Sequence, residues 1–304
     1  MYFLKRLAFA IPLLLLISIL AFSLVRVAPG GPFDRERKPA SPEIERALLA
    51  KYHLDEPAWK QYARFLGDLT HGDFGLSLKY RDHSVNDIIQ QALPVSACLG
   101  LLAFGFSMGV GLPLGFLASV RRGQWGDYVA SFCAVLMVCT PAFVLAPLLI
   151  IWIGIKWRLL PVALWTSPLH VILPVIALGL FFAGKVSRLL REGMLETLQA
   201  PFITTARAKG ASESSILLRH ALRLAILPVL SYSGPLLADL LTGSFVIESI
   251  FQIPGLGTFL VNGSLNRDYT LVVGLVLLYA IILILLNLLV DLAYVLLDRR
   301  VSYA

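Results

Sequence analysis

The residues of this 304-residue chain that could do chemistry are three cysteines, five histidines and a few acids set in apolar runs. Cys98, Cys133 and Cys139 form no CxxC pair and sit in long apolar stretches, so they read as small apolar filler. His53, His71, His83, His170 and His220 are scattered, with no HExxH or comparable ligand spacing, and a metal site has no support. Gly179-Leu-Phe-Phe-Ala-Gly184-Lys185-Val186 has the spacing of a phosphate loop, but Val186 stands where Ser or Thr must hold magnesium. Its setting is apolar throughout, not the end of a strand. No GxSxG and no kinase-like set is present. These patterns supply no catalytic, cofactor-binding or metal-binding residue, and the chain is expected to carry no energy-yielding site of its own.

Two acids remain. Asp239 lies near the middle of the apolar run Leu224–Ile247, where an ionised carboxylate is costly in hydrocarbon, and is the candidate for a pathway-lining residue. Asp291 and Asn287 are one helical turn apart and read as interhelical hydrogen-bonding groups.

The elements that must position these groups are membrane spans. Hydrophobic residues make up 58% of the chain and charged residues 15%, with a mean hydropathy of +0.78. Ordinary soluble domains run at about 45–50% and about 25%. Soluble-enzyme, coiled-coil and disordered classes are excluded on that ground. A spanning helix needs about 20 apolar residues. Leu7–Val25, Val95–Val120 and Val129–Ile155 carry no charge; Leu224–Ile247 and Leu271–Leu297 carry one Asp each. Val171–Gly184 is short, and reaches a full span only if it continues to Leu190 with Lys185 snorkelling toward the interface. Six transmembrane helices are expected in an all-α membrane protein. The first apolar run is too long for a signal-peptide core and is followed by no small-x-small site, so it is read as an uncleaved helix.

Charge sets the orientation. Lys5, Arg6, Arg121, Arg122, Arg299, Arg300 and the basic stretch 185–223 fall on one side, against Lys156, Arg158 and Arg267 in the short loops opposite. The positive-inside bias then places both termini in the cytoplasm. The net charge of +7 is mostly this topology signal; no basic patch is interleaved with aromatics, and no nucleic-acid partner is expected. Gly105/Gly109 and Gly111/Gly115 give small-xxx-small spacings for close helix packing. Pro113, Pro141, Pro147, Pro174, Pro228 and Pro235 lie in or at the ends of spans and suggest helices bent around a cavity.

The inner segment 185–223 is long, basic and not of low complexity. Pro201 suits the first turn of a helix and Gly210 the position just past its end, enclosing two turns with Phe202, Ile203 and Ala206 on one side. Ser212 then suits the cap of a second helix leading into the fifth span. A short, partly apolar helix outside the membrane needs something to pack against: a soluble partner, or the lipid headgroups.

Thr205-Ala206-Arg207-Ala208-Lys209-Gly210, followed by Arg219-His220-Ala221-Leu222-Arg223 and Leu227-Pro228, resembles the inner-loop motif of ABC importer permeases of the peptide subgroup. Leu24-Val-Arg-Val-Ala-Pro29-Gly30, His71-Gly-Asp-Phe-Gly-Leu-Ser77, Pro254-Gly-Leu-Gly257 and Asn266-Arg-Asp268-Tyr269 extend the resemblance, in order, over nearly the whole chain, toward the B-type membrane subunit of oligopeptide importers. One departure stands out. The general importer pattern opens Glu-Ala-Ala where this chain has Thr204, Thr205 and Ala206, so a contact made by that Glu does not carry over.

The resemblance implies a type I ABC importer permease-like bundle in the cytoplasmic (inner) membrane of a bacterium. It implies a second homologous permease subunit, two ATPase subunits carrying ATP and Mg, an extracytoplasmic peptide-binding protein and an oligopeptide substrate. Phe202, Ile203, Thr204, Thr205, Ala206, Arg207, Ala208, Lys209 and Gly210 would form the ATPase-coupling helix. Residues 1–93 would comprise the first transmembrane helix and an extracytoplasmic segment with amphipathic stretches near 43–52 and 58–69; residues 94–304 would form a five-helix core. Dipeptide, glutathione and nickel importers share this architecture. A proton-coupled carrier using Asp239 and Asp291 is the reading from another class, but the halves show no internal repeat.

Overall fold

The computed structural model describes residues 2–27, 49–80, 83–242 and 245–297, and the regular elements among them are helices. In chain order these are α1 (Tyr2–Val27), α2 (Ala58–Thr70), α3 (Val85–Val120), α4 (Trp125–Cys139) and α5 (Ala142–Leu149), which widens into π-helical turns over Ile150–Lys156. After α6 (Leu169–Leu198) come α7 (Pro201–Ala208) and α8 (Glu213–Ser215). A second wide segment, Ile216–Ala221, then leads to α9 (Leu222–Ala225) and α10 (Leu227–Thr242). The chain closes with α11 (Phe245–Ile250), α12 (Leu256–Asn266) and α13 (Tyr269–Leu297).

Among the described residues, five stretches are long and apolar enough to cross a bilayer: Phe9–Val27, Val85–Val120, Leu169–Leu198, Leu227–Ile250 (across residues 243–244, which are outside the description) and Tyr269–Leu289. A sixth exists if α4 and the helix that follows it are counted together. The expected uninterrupted span Val129–Ile155 is instead a pair, Trp125–Cys139 and Ala142–Lys156, bent by 98°. Pro141 explains the break. Proline has no N–H to continue the helix and drives the residue before it out of the helical region, and Thr140 sits at φ −95°, ψ 108°. The fourth span, expected over Val171–Leu190, is present within a longer helix. It is a continuous 30-residue helix, and Lys185 stands in its middle rather than near an end.

The chain divides into two compact units, Met1–Ser96 with Pro254–Ile284, and Ala97–Ile253 with Leu285–Ala304. In the first unit, Val85, Ile88, Ile89 and Ala92 of α3 pack with Leu256 of α12 and with Leu271 and Leu275 of α13. The amphipathic stretch near 58–69 is α2; most of the one near 43–52 lies outside the described residues. α2 lays Tyr62, Phe65 and Leu69 against Phe22 of α1 and Val273 of α13. The Phe22 and Tyr62 rings meet edge to face at 5.1 Å, and the Tyr62 hydroxyl pairs with Ser18 Oγ at 2.7 Å.

A buried carboxylate fastens two segments of this unit that lie far apart in sequence. Asp268 is fully buried immediately before α13. It accepts hydrogen bonds from Ser77 Oγ at 2.5 Å, from the Leu78 and Lys79 amides at 3.1 and 3.2 Å, and from the Leu271 amide at 3.2 Å. The last of these caps the first turn of α13. Gly75, at φ +89°, lets the 71–77 turn close against Thr270, whose methyl would lie 2.9 Å from a Cβ at that position.

In the second unit α6 is the central element. Twelve of its residues are buried, and α4, α5, α9, α10 and α11 all contact it. Glycines permit the closest approaches. A Cβ at Gly111 would stand 2.6 Å from the Ala183 carbonyl oxygen and one at Gly115 2.3 Å from that of Ser187, so this pair seats α3 on α6. Gly105 and Gly109, the other predicted packing pair, meet nothing within 4 Å. The glycines of the phosphate-loop-like spacing are accounted for in the same way: Gly179 meets α3 at Ala103 and Gly184 meets α4 at Ala134. Ser107 Oγ donates to the Gly179 carbonyl at 2.8 Å.

Candidate functional site

The site begins where α6 ends. Ala200 turns to extended backbone (ψ 144°), Pro201 occupies the first helical turn where its missing N–H costs nothing, and α7 runs for eight residues. Its C-terminus closes as a Schellman motif. The Ala211 amide donates to the Ala206 carbonyl at 3.1 Å and the Gly210 amide to that of Arg207 at 2.9 Å. Gly210 takes φ +82°, the left-handed conformation this closure requires.

The next helix starts at once. Ser212 Oγ accepts from the Ser215 amide at 3.4 Å, and the chain runs through the wide segment Ile216–Ala221, against which α7 packs. Across the turn, the Arg207 guanidinium grips the Glu213 carboxylate with both arms, Nε to Oε1 at 2.8 Å and Nη2 to Oε2 at 3.2 Å. That contact holds the Glu213 carboxyl below its ordinary range.

Ile203 is fully buried, which contributes roughly 2 kcal/mol toward fixing α7 on its support. Ala206 is half-buried; Phe202, Thr204, Thr205, Arg207, Ala208, Lys209 and Gly210 are exposed. Sequence reasoning grouped Phe202 with Ile203 and Ala206, whereas its ring is 40% exposed. The result is a short rigid helix, anchored by one aliphatic side chain, presenting an aromatic ring and basic groups to its surroundings. An element of this kind can transmit force.

A second constellation, missed in the sequence, sits further back on α6. Asp127 in the first turn of α4 is 5% exposed and accepts Arg191 Nε at 2.8 Å, Arg191 Nη2 at 2.9 Å, the Gly123 amide at 3.0 Å and Ser131 Oγ at 3.1 Å. Arg191 had weight in the sequence only as a topology charge, and no spacing links it to an acid 64 residues away. This fork ties α4 to the last turns of α6, just ahead of α7. Arg191→Ala strands a buried carboxylate and is expected to destabilise the fold by about 3–5 kcal/mol. Arg191→Lys keeps the charge but loses the planar fork, and should cost less. Detergent thermal-unfolding midpoints of the two variants check the order.

Asp239 does not join either group. It lies on α10, exposed, in line with exposed Ser231 and Pro235 at helical spacing. Asn287 is half-buried on α13, and the side chain of Asp291 lies outside those described.

The family described as "Binding-protein-dependent transport system inner membrane component" matches residues 111–303, and that range contains all of this machinery. The chain belongs to that family. It is thus a multi-pass permease of the inner membrane. Across 98% of both chains the permease is 44% identical to the "Oligopeptide transport system permease protein OppB" of Haemophilus influenzae. It is 43% identical to the protein of that name in Escherichia coli K12, over 99% of each chain. It is also 43% identical to the "Dipeptide transport system permease protein DppB" of Bacillus subtilis, over 99% of this chain and 97% of that one. Among solved structures it shares the fold of the MetNI methionine ABC transporter in inward-facing conformations, with a TM-score of 0.60 at 18% identity, covering 70% of this chain and 97% of that one.

Proposed function

We propose that this permease carries oligopeptides across the inner membrane as one of two similar membrane subunits, powered by two ATPase subunits that hold ATP and Mg. The full-length similarity to proteins named for oligopeptide transport supports the substrate class. Both termini face the cytoplasm in this reading. The permease itself has no nucleotide site; free energy enters through residues 202–210, seated in a groove on an ATPase. Closure of the ATPase pair draws the two inner loops together, and α7 passes the movement to α6 through the short connection between them. Peptide and ATP each bias one two-state element, which is what coupling requires.

On the opposite side, residues 1–93 present α2 toward an extracytoplasmic peptide-binding protein, while 94–304 form the translocating core. Asp239 lines the pathway. The DppB similarity favours a second reading in which dipeptides are the cargo, and uptake across a series of peptide lengths separates the two.

The direct test is gentle purification of the tagged chain from its native membrane, with mass spectrometry of what is retained. Recovery of a second permease and two ATPase chains is expected. An intact, monodisperse chain recovered alone would contradict the proposal.

A further inference from the structure

Three polar groups within the apolar spans of the second unit have no hydrogen-bond or ion-pair partner among the described residues. Lys185, in the middle of α6, makes no ion pair or hydrogen bond among the described residues; its Nζ rests 4.5 Å from the Phe181 ring, 6.0 Å from Phe182 and 5.8 Å from Tyr232. The Tyr232 hydroxyl, on α10, is buried and has no hydrogen-bond partner among the described residues. Asp239, two turns further along α10 on the same face, is exposed and likewise has no hydrogen bond or ion pair among the described residues.

An ammonium, a phenol and a carboxylate each cost free energy when left unsatisfied in hydrocarbon. In water or in contact with a polar ligand they do not. On the exposed line Ser231–Pro235–Asp239 the serine hydroxyl is satisfied by the Leu227 carbonyl at 3.0 Å, which leaves the Asp239 carboxylate as the group that lipid cannot accommodate. A carboxylate and an ammonium held apart on neighbouring helices complement a ligand that carries both charges. Tyr232 and Asp239 are seven residues apart, or roughly 10 Å along the axis, and Lys185 lies beside Tyr232. An extended chain of three residues reaches about 10 Å.

We propose that Lys185, Tyr232 and Asp239 form a recognition site for the charged ends of a peptide in transit, with Asp239 accepting the terminal ammonium and Lys185 with Tyr232 donating to the terminal carboxylate. The assignment rests on the peptide-importer reading above. It adds a specificity that the family and its relatives do not specify. The aromatic flank serves the same end, because Phe181 and Tyr232 hold the Lys185 ammonium in place by cation–π attraction while leaving its N–H groups to donate.

The test uses the complete transporter, purified with its partner chains and reconstituted in proteoliposomes. The binding protein is loaded to saturation with a tripeptide, its N-acetyl form or its C-terminal amide, so that its own preference drops out. For the unaltered chain, uptake of the free tripeptide is expected to exceed that of either capped form about tenfold. Asp239→Asn should bring the free-to-acetylated ratio to about one with little change for the acetylated peptide. Lys185→Met should do the same for the free-to-amidated ratio, and Tyr232→Phe should lower that ratio severalfold. Variants that slow all three peptides alike, ratios that do not move, or loss of the second permease from the Asp239→Asn complex would each overturn the site, the last by making it a subunit interface. Absence of peptide uptake by the unaltered transporter would instead sink the importer reading itself.

Discussion

Asp268→Ala is expected to destabilise the first unit strongly and to loosen its 71–80 segment. The substitution removes the acceptor for Ser77 Oγ and for the amides of Leu78, Lys79 and Leu271, of which Ser77 and Leu271 are buried with Asp268 while Leu78 and Lys79 lie nearer the surface. An unsatisfied buried donor costs about 1–3 kcal/mol, and a hydrogen bond to a charged acceptor contributes about 1.5–3 kcal/mol. Even after water enters the gap, a loss of about 4 kcal/mol is expected, a large fraction of the 5–15 kcal/mol typical of a domain. Limited proteolysis of the 71–84 segment in detergent is the measurement. Cleavage there should accelerate strongly in Asp268→Ala and much less in Asp268→Asn, which keeps one acceptor oxygen. Equal protection in all three proteins would show that the carboxylate does not hold the segment.

The second large effect concerns Gly115. A Cβ there would lie 2.3 Å from the Ser187 carbonyl oxygen and 3.1 Å from Leu190 Cβ, and neither is the free end of a flexible chain. Gly115→Val must therefore separate α3 from α6. Overpacking of this kind costs about 1–3 kcal/mol in a repackable core. Here the clash is with backbone of the central helix, so the cost lies at the top of that range or above it. The matched control is Gly109→Val, whose site meets nothing within 4 Å. Thermal unfolding should place Gly115→Val well below the unaltered chain and Gly109→Val close to it. Two similar midpoints would mean that the α3–α6 contact is not as close as described.

The contrast between those glycines shows what was legible beforehand. Both pairs have one spacing in the sequence, but only the pair that faces α6 makes a contact, and facing is a property of tertiary packing. The same holds for Val129–Ile155. Hydropathy gives an unbroken apolar run, and the 98° bend comes from one imino acid, Pro141, whose effect in a span depends on whether neighbours satisfy the freed carbonyls.

Local signals fared better. Pro201, Gly210 and Ser212 mark their helix ends because the chemistry of a helix terminus is encoded within a few residues. Long-range polar contacts carried no local signature. The 71–77 and 266–269 motifs were each visible as matches to a family, yet that Ser77 and Asp268 form one bonded unit, 191 residues apart, appears only in the fold. Asp127 and Arg191 were invisible for the same reason. Lys185 was read as a charge snorkelling toward the inner interface, and its position beside Tyr232 was not legible.

The claim on which the functional account turns is that the helix from Pro201 to Ala208 transmits the ATPase stroke. Gly210→Val tests it most directly. Valine in the left-handed conformation at φ +82° is strained by roughly 1–3 kcal/mol, which opposes the Schellman closure and misplaces the helix without touching the spans. The measurement is peptide-stimulated ATP hydrolysis by the reconstituted complex, with subunit content followed in parallel. The account predicts that Gly210→Val chain inserts and retains the second permease, while stimulated hydrolysis falls at least tenfold. Full stimulation and unchanged uptake in that variant would contradict it, and would place the transmission site elsewhere on the chain.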